Sequence, residues 1–279
     1  MQFLNLKNPS TICLFLMASS HTVGTVNIVS VLALAPVISR EFELSATQFG
    51  FFVTCYYGAQ AFWSLPSGGL TDRYGVARVL IVSHVVMASS AIALALAPNY
   101  LSCLTAMFLM GVGYAMTNPS TSRGVLDWFP PGQRGLAMGL KQVGVPIGGI
   151  IAAGNGAIAE WYNWHSIMLF VALLIFLNGL LTANLLRFEN KNSPFRAANA
   201  YKGILQVIKD KNVNIFVWSN GFLNFGQTNF FSFLALFLTE VALASQSLAG
   251  IALGCVHAVS ALARIAWGNL SDSAFSGRR

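Results

Sequence analysis

Eight long apolar stretches run through this chain, and they decide what it can fold into. They lie at roughly 11–37, 47–70, 78–97, 101–122, 135–158, 164–187, 213–239 and 246–269. A helix that crosses the hydrocarbon layer needs about 20 mostly apolar residues, and each stretch is long enough. An aqueous fold is excluded by composition. Only 9% of residues are charged and 55% are hydrophobic, whereas soluble domains carry roughly 25% charged residues. Lipid offers the backbone no hydrogen bonds, so the spans must be helices that satisfy themselves. The expectation is an all-α integral membrane protein of about eight transmembrane helices.

The first stretch begins after Lys7 and continues to about Ile38. A cleavable signal has an apolar core of only about 7–15 residues. The stretch is therefore read as the first span. Short connections mark the other boundaries, among them Arg40–Glu43, Asp72–Arg78, Asp127–Arg134 and Glu160–Asn163.

Charge placement supports the count. Of the 16 Lys and Arg residues, Lys141 and Arg264 lie inside spans. With a cytoplasmic N-terminus, Arg40 alone would face outward and all the others inward, as the positive-inside bias requires. The net charge of +7 is thus a signature of membrane orientation, and no nucleic-acid partner is expected. Cys13, Cys55, Cys103 and Cys255 stand singly in apolar runs. They signal neither a disulfide framework nor a metal site.

The longest connection, 188–212, is polar and basic. Tyr201, Ile204, Leu205 and Ile208 recur there at helical spacing, which predicts a short amphipathic helix on the cytoplasmic membrane surface. It divides the chain into a six-helix bundle (1–187), the linker (188–212) and a partial second bundle (213–279). An internal repeat supports that division. Gly68-Gly69-Leu70-Thr71-Asp72 recurs as Gly268-Asn269-Leu270-Ser271-Asp272, each copy at the end of the second span of its bundle.

The run Gly68-x-x-x-Asp72-Arg73-Tyr74-Gly75, followed by Arg78, resembles the loop signature between helices two and three of the major facilitator superfamily. The second copy, with Gly268 and Asp272, resembles the signature between helices eight and nine. Val76, Ala77 and Ser273 stand where that pattern usually has basic residues. Asn118-Pro119-Ser120, Arg123 and Lys141-Gln142-Val143-Gly144-Val145-Pro146 further resemble the helix four–five region of bacterial members. The resemblance covers the whole chain. It implies a bundle of two six-helix halves, of which six helices and the first two of the next half are present here. It further implies a monomer in a bacterial-type inner (plasma) membrane, with Asp72 and Asp272 tying their loops to neighbouring helix ends as gating elements. The superfamily has twelve helices, so the chain reads as truncated after the eighth.

A charge inside the bilayer is costly and is a functional hypothesis by default. Lys141 is seven residues past Arg134, about 10 Å into the membrane, and Arg264 is eight residues before Asp272, about 12 Å in. Helices five and eight face each other in the family, which implies that the two cations flank one cavity that would suit an anion. The alternative is that each snorkels toward the cytoplasm. Gln142 adjoins Lys141. His257 shares the face of Arg264 and could bind solute, carry a proton or simply pack. Asn220, Asn224 and Gln227 form a polar stripe on span seven, and His21 and Asn27 are candidates on span one; each reads either as cavity lining or as interhelical glue.

Three functions are weighed. A secondary active transporter of a small anion, working by alternating access with proton coupling, leads. Efflux of a drug-like compound and a non-transporting fragment are the alternatives. An enzyme is not expected, because the four histidines are scattered and no nucleophile–base or paired-carboxylate spacing occurs. Gly111-Val112-Gly113 lacks the third glycine of a dinucleotide fingerprint, and no Gly-Lys-[Ser/Thr] is present, so no cofactor or metal is expected. The partners are a small-molecule solute and the lipid bilayer.

Overall fold

The computed structural model describes residues 9–130, 133–189 and 209–274, excepting the side chains of 216 and 264–274. Every described element is helical. The helices are α1 (Pro9–Ala33), α2 (Ala35–Glu41), α3 (Ala46–Tyr74), α4 (Val76–Ala95), α5 (Tyr100–Ala115), α6 (Thr117–Trp128), α7 (Arg134–Gln142), α8 (Gly144–Ile158), α9 (Trp164–Thr182), α10 (Lys211–Glu240) and α11 (Gln246–Ala274). A 3₁₀ turn, Ala183–Arg187, extends α9.

Three of the expected spans are broken. Span one is α1 plus α2, span four is α5 plus α6, and span five is α7 plus α8. Each break lies shortly before a proline: Pro36, Pro119 or Pro146. Proline has no N–H, and its ring clashes with the carbonyl four residues earlier. Elsewhere local chemistry sets the ends. Ser45 and Gln48 form a capping box on α3, Asn99 and Ser102 one on α5, and Asp210 accepts from Asn212 and Val213 to cap α10.

Six segments are long and apolar enough to cross a membrane: Pro9–Ala33, Val76–Ala95, Tyr100–Trp128, Arg134–Ile158, Trp164–Arg187 and Gln246–Ala263. Among the described residues α3 and α10, the expected spans two and seven, are long but fall short in apolarity. Their Gly, Ser, Thr, Asn and Gln content is the reason. The expected ends also move. Asp72 and Arg73 lie within α3, and Gly268 and Asp272 within α11, rather than in loops. Gly75, at φ +91°, is what stops α3.

The first six spans enclose a core that includes Val26, Leu32, Phe49, Phe52, Tyr56, Met87, Met110 and Trp164. α1 runs through it. Gly144 and Gly148 let α8 press on α1, because a Cβ at either would overlap the backbone at Ala18 or Thr22. Phe15, Phe62, Phe108, Phe170 and Phe176 point outward, as side chains that meet lipid do.

Candidate functional site

The breaks in spans four and five bring the site together. Lys141 sits in the last turn of α7 and is 1% exposed. Its ammonium donates to Ser122 Oγ at 2.8 Å, Thr121 Oγ1 at 2.9 Å and Asn118 Oδ1 at 3.3 Å. These are three acceptors for three N–H bonds, all from α6. No carboxylate is among them. Thr121 Oγ1 also bonds His21 Nε2 on α1 at 2.8 Å and donates to Thr117 O. Gln142 Nε2 reaches Asn118 Oδ1 at 3.5 Å. Asn118 is exposed, and Gln142 and Ser122 are half-buried. Lys141 is therefore a buried cation under a polar rim that opens outward.

Nearer the end of the bundle, the loop signature joins spans two and four. Asp72 Oδ1 accepts from Arg123 Nη1 at 3.1 Å, and Arg123 Nε lies 3.0 Å from Asp127. Thr71 Oγ1 and Ser120 Oγ bond one residue inward at 2.9 Å. Arg73 stacks over the Tyr74 ring, and Arg78 donates to Tyr74 O. A Cβ at Gly75 would overlap the Glu189 carboxylate, which accepts from Ala77 N at 2.8 Å and so caps α4. Gly68 has open space around it.

The family model described as Major Facilitator Superfamily matches residues 12–279. The chain belongs to the major facilitator superfamily. It is 34% identical over 142 residues to a hexuronate transporter of Bacillus subtilis, which covers 50% of this chain and 33% of that protein. It is 30% identical over 130 residues to a 3-(3-hydroxy-phenyl)propionate transporter of Escherichia coli, covering 47% and 32%. Among solved structures it is similar to a bacterial homolog of the human lysosomal transporter Spinster, inward-facing and unoccupied. The TM-score is 0.73 at 20% identity, over 98% of this chain and 64% of that one. The chain thus spans about a third of the length of these curated relatives.

Spans five and eight do face each other, as the superfamily plan implies. The His257 imidazole packs on Gly149 of α8, where a Cβ would overlap it. On its other side it stacks on Phe231 of α10, with ring centroids 4.5 Å apart. Gly149 is eight residues beyond Lys141, about 12 Å along the span, so the structure does not bring His257 to the Lys141 ammonium. The side chains of Arg264 and Asp272 lie outside what is described, as do the surroundings of Gly268 and the predicted amphipathic helix in the linker.

The polar stripe on span seven is placed differently from the Lys141 cluster. Asn220, Asn224 and Gln227 are all exposed on α10, and Asn224 Nδ2 donates back to Asn220 O. On span one, His21 joins the cluster and Asn27 does not. Asn27 lies seven residues from Ser20, whose hydroxyl approaches Thr182 at the end of α9 at 3.5 Å, so it falls on the stripe that faces span six rather than span four. The sequence reading assigned no site role to Asn118, Thr121 and Ser122. Pro119 signals the break beside them, but it does not mark these side chains as acceptors.

Proposed function

We propose that this chain is part of a secondary transporter that moves a small organic anion by alternating access, coupled to protons, with its N-terminus in the cytoplasm. One observation carries the anion reading. Lys141 is a fully buried ammonium whose partners are all neutral oxygens. A buried charge without a counter-charge is expensive, and an incoming carboxylate supplies one. Asn118, Ser122 and Gln142 form the side from which it can enter. The anion displaces Asn118 or Ser122 as an acceptor, and the freed amides and hydroxyls turn to its own hydroxyl groups. Two relatives named for carboxylate solutes, hexuronate and 3-(3-hydroxy-phenyl)propionate, support the same substrate class.

The test is binding of D-glucuronate to the purified chain, followed by uptake into proteoliposomes with and without an inward proton gradient. Lys141→Gln keeps a polar side chain with two N–H donors, about one bond shorter, and removes the charge. It is expected to weaken binding about 10- to 100-fold, the size of a charge-assisted hydrogen bond. Unchanged affinity in that variant would remove Lys141 from the site.

A further inference from the structure

We propose that one end of the bundle is held shut by a reciprocal latch, in which each half completes a helix terminus of the other. The end is the one carrying the connections 42–45, 159–163 and 241–245. This rests on the alternating-access reading, and it names the residues that close the side opposite the Asp72 loop.

The first bond starts from Pro36. Because α1 stops at Ala33, Val37 N and Ile38 N both turn to Leu34 O. The Ala33 carbonyl thereby loses the donor that a continuous helix would give it. Gln246, the first residue of α11, supplies one: its Nε2 donates to Ala33 O at 2.6 Å, and the side chain is 6% exposed. The second bond runs the other way. In the first turn of α11, Leu248 N and Ala249 N are taken up by Ser245, while Ser247 N donates to Glu160 Oε1 across the halves at 2.9 Å. Glu160 thus places a carboxylate on the positive end of α11.

Between these bonds the two backbones touch. A Cβ on Gly250 would lie 2.5 Å from Ala157 N and 2.8 Å from Ala153 O, and one on Gly156 would lie 3.4 Å from Gly250 Cα. With no side chains in the gap, neither half can slide to compensate. A separation of even about 1 Å takes both donors past hydrogen-bonding range, so the latch is fully made or fully broken. That is the property a two-state gate requires. Breaking it exposes the Ala33 carbonyl and the first turn of α11 to water, which takes over both bonds. The latch therefore biases the gate without locking it.

The experiment uses the full 279-residue chain in lipid nanodiscs, with Cys55→Ser and Cys255→Ser as background. Spin labels go at Trp161→Cys and Leu248→Cys, both exposed positions on opposite sides of the latch. A single short distance is expected. Glu160→Gln removes the charge on α11 and should add a longer-distance population; Gln246→Ala should do the same through the other bond. Amide exchange over 247–250 is the second reading, expected to speed up about two- to tenfold in each variant, the range of a charge on a helix terminus. Glu43→Gln, a charge change at the same end, should change neither reading. If Glu160→Gln and Gln246→Ala both keep the native distance and exchange rate, the latch is overturned. No solute is used, so a chain that fails to bind D-glucuronate still decides the latch, and a latch that holds does not rescue Lys141.

Discussion

Span five and α10 both carry polar residues among apolar ones, and the structure treats them in opposite ways. On span five, Lys141 is enclosed, and Asn155 donates to Ser30 of α1 at 2.7 Å. On α10, Asn220, Asn224 and Gln227 stay on the surface. Composition does not separate the two cases; neighbours do. Span five is wedged between α1, α6 and α11, and α1 and α6 bring acceptors to it. α10 leans on α1, α2 and α11 chiefly through Phe231, Phe233 and Leu236 near its far end. A polar residue becomes part of a network only where other helices bring partners to it.

Glycine substitutions test that contrast most strongly. Gly148→Leu forces a side chain into the backbone at Thr22, and overpacking of this kind is expected to cost about 3 kcal/mol. Gly226 on α10 has nothing within 4 Å, so Gly226→Ala is expected to be neutral or to stabilise by up to about 1 kcal/mol through helix propensity. Thermal unfolding of both variants in one detergent decides it; equal losses would mean that α10 is as tightly packed as span five.

Buried amides give the next largest effect. His84 Nε2 meets Asn178 Oδ1 at 2.9 Å, and Thr182 lies beside them. Asn178→Ala leaves a buried imidazole nitrogen without that partner and is expected to cost about 1–3 kcal/mol. Asn224→Ala removes only an exposed back-bond, with a change expected within about 0.5 kcal/mol. The same unfolding measurement ranks them, and a large loss at Asn224 would show that α10 buries its stripe in the membrane.

The smallest effect is expected at the loop signature. The Asp72–Arg123 pair is 41% exposed on each side, and such pairs contribute about 0–1 kcal/mol. Asp72→Asn should leave the unfolding temperature nearly unchanged while increasing labelling of a cysteine placed at Ser122. A drop as large as that of Asn178→Ala would make the pair a structural strut and not a loop tie.

Much of the architecture was legible in advance. Apolar run length located the eight helical stretches, though α3 and α10 proved less apolar than the rest. The loop signature located Asp72, and its pairing with Arg123 came from the structure. Lys141 stood out because a lone cation in an apolar run has few innocent readings. Its partners did not stand out: Asn118, Thr121 and Ser122 lie one break away in a different helix, and nothing local marks a hydroxyl as the acceptor of a particular ammonium. The depth of His257 relative to Lys141 was not legible either, because helical spacing orders residues on one span and says nothing about their depth on the next.

By itself, then, the sequence determined that the chain is helical, where its helices run, and that a cation lies within span five, since run length, proline and charge act locally along the chain. The tertiary structure alone decided that α6 surrounds this cation, that His21 shares its threonine while Asn27 turns away, and that Gln246 and Glu160 cap helices of the opposite half. Those choices depend on which helix faces pack together, and that is settled by the simultaneous fit of many side chains and backbones, which no single stretch of sequence contains.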